Sequence, residues 1–301
     1  MIKNTPKDFN LLVEQAVSEK NYAHMRPVVE KELLHYDLLF ILDKANLLDK
    51  LTFRGGTSLR LCYGAARFSE DLDFVGGTSF TTSDLMGMKD CIENYIGDRY
   101  GLPITVKTPS ESDDKKVKQW QLNLTTAPAR RDLPMQKVKI QICSVPAYTR
   151  EPKALKINYD FLPDGYADTL IMTENIDEIM ADKLIAFVAT TRYTRHRDIW
   201  DLRWLKQQGA MINAKLILAK IKDYGITNYV DKLEKAHYQV DEIIRGKSFY
   251  DEISRFAPEN VLERTLQKEK FKDFLIAETK ELFSEVRKLF YDKQESDEFY
   301  I

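Results

Sequence analysis

The chain has 301 residues, enough for one large domain or two modest ones, and its 44% hydrophobic share supports a packed core. Its 45 Lys and Arg against 47 Asp and Glu leave a formal net charge of -2, which excludes both an indiscriminate polybasic binder and an acidic disordered chain. With only 12 Gly and 10 Pro, collagenous and low-complexity architectures are excluded too.

In chain order, residues 8–50 carry helical periodicity, with Val28, Leu33, Leu34, Leu38 and Ile41 on one pattern. Leu51–Arg54 reads as a short strand, closed by Gly55-Gly56 and followed by a helix through Leu59 and Leu61. Asp71–Val75 alternates with period two and ends at Gly76-Gly77. A helix is expected over 83–97 and a strand over Pro103–Lys107. Gln119–Leu124 and Lys137–Ile142 then alternate strictly, as strands with one solvated face do. Beyond about residue 165 the pattern reads as helical to the end, over Asn175–Thr191, Asp198–Gln207 and several helices across 213–293. The expected class is α+β: a small mixed sheet with helices over 1–160, then a mainly helical domain over 161–301 that completes the active-site cleft.

Cys62, Cys91 and Cys143 are scattered, as are His24, His35, His196 and His237, so neither a disulfide framework nor a zinc site is expected. Any metal would be held by oxygen. The opening MIKNTPKDFN is polar, and the densest apolar cluster, Leu38–Leu42, is far short of the ~20 residues of a membrane span. The expectation is a cytoplasmic protein without a membrane partner.

The first constellation of residues that points to chemistry is Gly55-Gly56-Thr57-Ser58 followed by Asp71-Leu72-Asp73. A Gly-Gly turn between strand and helix lets backbone approach a ligand, and its amides favour an anion. Thr57 and Ser58 add hydroxyls suited to phosphate oxygens. Asp71 and Asp73, two apart on a strand, point to one face. Converging carboxylates call for a hard cation, Mg²⁺ or Mn²⁺ in its place. Together they outline a nucleoside-triphosphate site.

The stretch Phe53-Arg54-Gly55-Gly56-Thr57-Ser58-Leu59, followed by Arg67-Phe68-Ser69-Glu70-Asp71-Leu72-Asp73-Phe74, resembles the signature of AbiEii-type nucleotidyltransferase toxins. These belong to the DNA polymerase β-like nucleotidyltransferase superfamily and are the toxin halves of bacterial toxin–antitoxin pairs. The resemblance implies a polymerase β-like core. It gives Gly55, Gly56, Thr57 and Ser58 the triphosphate, Asp71 and Asp73 the metal, and Arg67 and Ser69 places lining the pocket.

A second constellation lies further along. Ile176, Ile179, Met180, Leu184, Phe187 and Val188 form one apolar stripe at helical spacing, and Lys183 falls inside it. On the next helix, the face of Leu202 and Leu205 also carries Asp198 and Asp201. A lysine and two carboxylates on apolar faces of successive helices suggest a buried polar cluster, catalytic or simply an ion pair. The family resemblance extends to Asp182-Lys183-Leu184, Arg192 and Arg195-x-Arg197-Asp198-x-x-Asp201-Leu202, and implies that Lys183 and Asp198 are required for activity, with Asp201 as a further candidate. The same resemblance would place a third carboxylate on the strand Val138–Ile142, where this chain has Gln141.

Residues 128–156 hold Arg130, Arg131, Lys137, Lys139, Arg150, Lys153 and Lys156 against Asp132 and Glu151, a net of +5. Arg192, Arg195 and Arg197 form a second cluster beside Tyr193, an aromatic available for stacking. These patches suit an RNA backbone, with Arg130, Arg131, Arg192, Arg195 and Arg197 as contacts. By the resemblance the reaction is nucleotide addition from NTP to the 3′ end of tRNA, blocking translation, with a cognate antitoxin as partner. The alternatives are transfer to a protein hydroxyl or small molecule, and a non-catalytic nucleotide-binding antitoxin partner.

Overall fold

The structure, a computed structural model, describes residues 6–20, 22–110, 115–128 and 135–298, with side chains as far as Tyr291. Arg130, Arg131 and Asp132, and the acidic side chains of Glu295, Asp297 and Glu298, lie outside the described residues. The chain forms two compact units, Met1–Glu174 and Asn175–Ile301.

The first unit opens with helices α1 (Phe9–Lys20) and α2 (Arg26–Lys44). Strand β1 (Thr52–Arg54) runs into the short helix α3 (Gly55–Ser58), which widens into a π-turn over Leu59–Tyr63. There follow β2 (Leu72–Val75), α4 (Met88–Tyr100), β3 (Ile104–Lys107), β4 (Val117–Leu124), β5 (Gln136–Cys143), β6 (Glu151–Ala154) and β7 (Leu170–Thr173). Among the described residues the strands form one mixed sheet in the order β3-β4-β5-β2-β1-β7-β6. β2 pairs antiparallel with β1 and parallel with β5, so Asp73 stands between Arg54 and Gln141.

Alternation along the strands sorts the side chains by face. Val106, Trp120, Leu122, Val138, Ile140 and Ile142 are buried. On that face Gln136 donates to Glu30 of α2 at 2.6 Å. α2 is apolar at Leu33, Leu34, Leu38, Leu39 and Leu42, yet it also buries Glu30, Glu32, His35 and Asp37. Each has a partner: Glu32 pairs with Arg60 at 2.7 Å and Asp37 with Arg99 at 2.9 Å, which is how charge is tolerated in a core.

The expectation of an unbroken helical pattern beyond 165 is corrected by β7, which pairs with β1 and β6. Four residues, Leu-Ile-Met-Thr, are too short to show a period against the helix that follows. β6 has the same difficulty, and its Pro152 is tolerated on an edge strand. β7 and the residues leading to it thus belong to the first unit, beyond the boundary set at 160.

The second unit is helical: α5 (Ile176–Ala189), α6 (His196–Gln207), α7 (Ala214–Tyr224), α8 (Tyr229–Arg245), α9 (Lys247–Ser254), α10 (Glu259–Arg264) and α11 (Glu269–Glu298). α5 packs on α6, α7 and α8, burying Ile179, Met180, Leu184, Phe187 and Val188. Among the described residues no helix is long and apolar enough to cross a membrane.

Candidate active site

In the first unit, the β1–α3 turn and the start of β2 meet. Gly55 has φ +79, and a Cβ there would lie 2.9 Å from Asp73 Oδ2. A Cβ on Gly56 would lie 2.6 Å from Arg67 Nη2 and 2.9 Å from Ser69 Oγ. Glycine is therefore demanded twice, once by backbone conformation and once by close approach. The turn, the Asp73 carboxylate, Arg67 and Ser69 occupy one spot.

The two hydroxyls of the turn are placed differently. Thr57 is buried and donates to the backbone carbonyl of Asp71 at 2.5 Å. Ser58 is fully buried, and its Oγ has no hydrogen-bond partner among the described residues. No side chain caps α3, so its first amides are the polar groups the turn offers a ligand.

Asp71 and Asp73 are half-buried, and neither forms an ion pair among the described residues. Burial raises the Asp71 carboxyl above its usual range, with the charge of Asp73 adding to the effect and Lys139 opposing it. The amide of Lys139 donates to Asp71 Oδ1 at 3.3 Å. Gln141 stands beside Asp73 and donates to Gln119 at 3.3 Å. Among the described residues no group of three or more His, Cys, Asp or Glu gathers to hold a metal. The carboxylate pair could therefore anchor a divalent cation only with further oxygens from ligand and water. Two uncompensated carboxylates against an anion-favouring turn fit that arrangement.

The residues behind this spot hold it in shape. His35 Nε2 lies 3.0 Å from the Glu70 carbonyl, and Lys31 pairs with Glu70 at 2.7 Å. Burial lowers His35 to about 4, so it is neutral and donates. Nothing in the spacing of α2 marked His35 out; only its contact with Glu70, thirty-five positions on, gives it this place.

In the second unit, Lys183 Nζ lies 2.8 Å from Asp198 Oδ1 and 2.7 Å from Asp201 Oδ2. All three are buried. Asn175 caps α5 by accepting from the Glu178 amide at 2.9 Å, which closes the first turn of the helix that carries Lys183. Burial alone would raise the Asp198 carboxyl; Lys183 and Arg195 outweigh it and hold it below its usual range. Arg195 also reaches Tyr193 Oη at 3.3 Å. Arg197 pairs with Glu252 at 3.2 Å and lies over the Phe256 ring, while Arg192 is exposed. Of this arginine cluster, Arg195 and Arg197 thus serve contacts within the unit.

A mixed sheet with this helical second half is the fold of a nucleotidyltransferase. Over residues 37–296 the chain matches the family described as "Nucleotidyl transferase AbiEii toxin, Type IV TA system". The chain belongs to that family: it is a nucleotidyltransferase, the toxin component of a toxin–antitoxin system. Among solved structures it is similar to MenT4, a nucleotidyltransferase toxin of Mycobacterium tuberculosis H37Rv, at 19% identity and a TM-score of 0.57, covering 92% of this chain and 89% of that one. It is also similar to JHP933 of Helicobacter pylori, at 19% identity and a TM-score of 0.47, covering 89% and 95%. A comparison with curated protein sequences finds no match.

Proposed function

We propose that this toxin acts in the cytoplasm, transferring a nucleotide from a nucleoside triphosphate to the 3′ hydroxyl of RNA. Its target is the acceptor end of tRNA, and the modification stops translation. The observation that carries the reading is the Asp71–Asp73 pair, half-buried, in no ion pair among the described residues, and set against the Gly55-Gly56 turn. Mg²⁺ or Mn²⁺ held there would neutralise negative charge on the polyphosphate.

The chain's own groups do the positioning. The turn's amides and Arg67 hold phosphate, and Ser69 lines the same spot. The acceptor oxygen bonds to the α-phosphorus as the α–β bridge breaks, its proton passes to water, and pyrophosphate leaves. Alignment and preorganised charge supply most of the rate in such transfers. By the family resemblance Lys183, held by Asp198 and Asp201 within the second unit, is required for the reaction, with Asp198 and Asp201 keeping it charged and in place. A cognate antitoxin silences the enzyme.

The test is incubation of the protein with each α-labelled nucleoside triphosphate, total RNA and either Mg²⁺ or a chelator. Metal-dependent label in tRNA is expected. Label in protein or a small molecule instead would move the acceptor, and no label in any fraction would overturn the proposal.

A further inference from the structure

The solvated face of the sheet beside Asp71 and Asp73 has an unusual composition. β3, β4 and β5 contain no acidic residue. Their alternation turns Lys107, Gln119, Gln121, Lys137, Lys139 and Gln141 away from the buried face. The register sets these in rows: Lys107 beside Gln121 beside Lys139, and Gln119 beside Gln141 beside Asp73. Lys107, Gln119 and Lys137 are exposed, and Gln121, Lys139 and Gln141 half-buried. None of the three lysines forms an ion pair among the described residues. From Asp71 to Lys107 the face crosses three strand spacings, about 14 Å.

We infer that this face carries the single strand of RNA that leads to the reacting hydroxyl. The inference rests on the reading of RNA as acceptor. Protein surfaces ordinarily intersperse both signs of charge. Here lysines alternate with carboxamides, and within Asp71 and strands β2 to β5 the only carboxylates among the described residues are the pair Asp71 and Asp73. Lysines match phosphates, while glutamine amides donate to and accept from base edges and 2′ hydroxyls. Gln141 donates to Gln119 at 3.3 Å and Gln121 to Asn123 at 2.8 Å, and the remaining amide groups are ones an acidic protein partner would not engage. The face offers hydrogen bonds instead of aromatic stacking. The lysines also come from β3 and β5, so the basic segment of the sequence is redistributed. Of its described members, Arg150 is spent on the Asp49 and Leu51 carbonyls and Lys153 on Glu151, whereas Lys137 and Lys139 lie on this face with Lys107.

The test uses the full chain, a short fluorescein-labelled single-stranded RNA, and anisotropy titrations over a range of salt, without nucleotide or metal. Lys107→Gln/Lys137→Gln should weaken binding about tenfold near 0.1 M salt and reduce the salt slope by about 1.4. Gln119→Ala/Gln121→Ala should weaken binding with the slope unchanged. Lys20→Gln/Lys44→Gln, the same charge change on α1 and α2, should bind as wild type. Wild-type affinity and slope in the Lys107→Gln/Lys137→Gln variant, failure of the wild type to bind RNA, or equal competition by poly-glutamate would each overturn the inference. If labelled nucleotide enters RNA while that variant binds normally, the surface is wrong and the acceptor stands. If binding falls as stated but no RNA is ever labelled, the surface stands and the acceptor is wrong.

Discussion

Thr57 donates its hydroxyl to the backbone carbonyl of Asp71 at 2.5 Å, tying the glycine turn to the first residue of the carboxylate pair. Thr57 is buried and the bond half-buried, so its loss leaves the Asp71 carbonyl poorly satisfied. Thr57→Val, which keeps the shape, should cost about 1–3 kcal/mol and lower nucleotidyl transfer more than Thr57→Ser does. Thermal unfolding beside a transfer assay checks this. Equal activity in the two variants would show that the bond does not position Asp71.

Asp71 and Asp73 stand close enough for one to raise the other, which costs stability. Burial and the neighbouring carboxylate raise Asp71, so the folded state takes up its proton more readily than the unfolded one. Stability from this group is therefore lost as pH rises through the folded value. Asp71→Asn should melt higher than wild type at neutral pH while losing transfer. Added Mg²⁺ should raise the melting temperature of wild type and not of the variant. A variant that melts lower than wild type would contradict the assigned strain.

Lys183 satisfies two buried carboxylates at once. Removing one partner of such a cluster leaves uncompensated buried charge, at a cost of about 3–5 kcal/mol. Lys183→Met should be both inactive and strongly destabilised. Lys183→Met/Asp201→Leu leaves Asp198 paired with Arg195 and should regain much of the stability without regaining transfer. Recovered activity in the double variant would reduce Lys183 to a structural role.

His35 should be visible in the pH dependence of stability. Its value falls from 6.5 unfolded to about 4 folded, so only the unfolded chain takes up this proton between those limits. The contribution is constant above about pH 6.5 and lost by about 3 kcal/mol as pH falls toward 4. Glu32, Lys31 and Glu70 act on the same ring, so the measurement is a difference, wild type minus His35→Gln, across denaturant titrations at several pH values. A difference that does not vary with pH would refute the assignment.

Much of this was legible in the residues alone. Gly55-Gly56 and Asp71-x-Asp73 are short-range patterns, and two-residue alternation is enough to say that the carboxylates share a face. Lys183 stood out because a charge on an apolar stripe breaks the local pattern, and Asp198 and Asp201 did so one helix later. β6 and β7 were not legible, because four-residue strands have no period of their own and exist only through pairing.

What the sequence by itself determined is the chemistry: a turn that favours anions, a carboxylate pair that favours a cation, and a buried lysine with acids to hold it. The near-zero net charge of -2 likewise excluded indiscriminate polyanion binding. Only the tertiary structure decided which groups act together. Thr57 turned out to be engaged with Asp71, Arg195 and Arg197 with their own unit, and Lys107 aligned with Lys139 through Gln121. The reason is physical. Local periodicity fixes which side of a strand or helix a residue occupies, whereas its neighbours across the sheet are set by register.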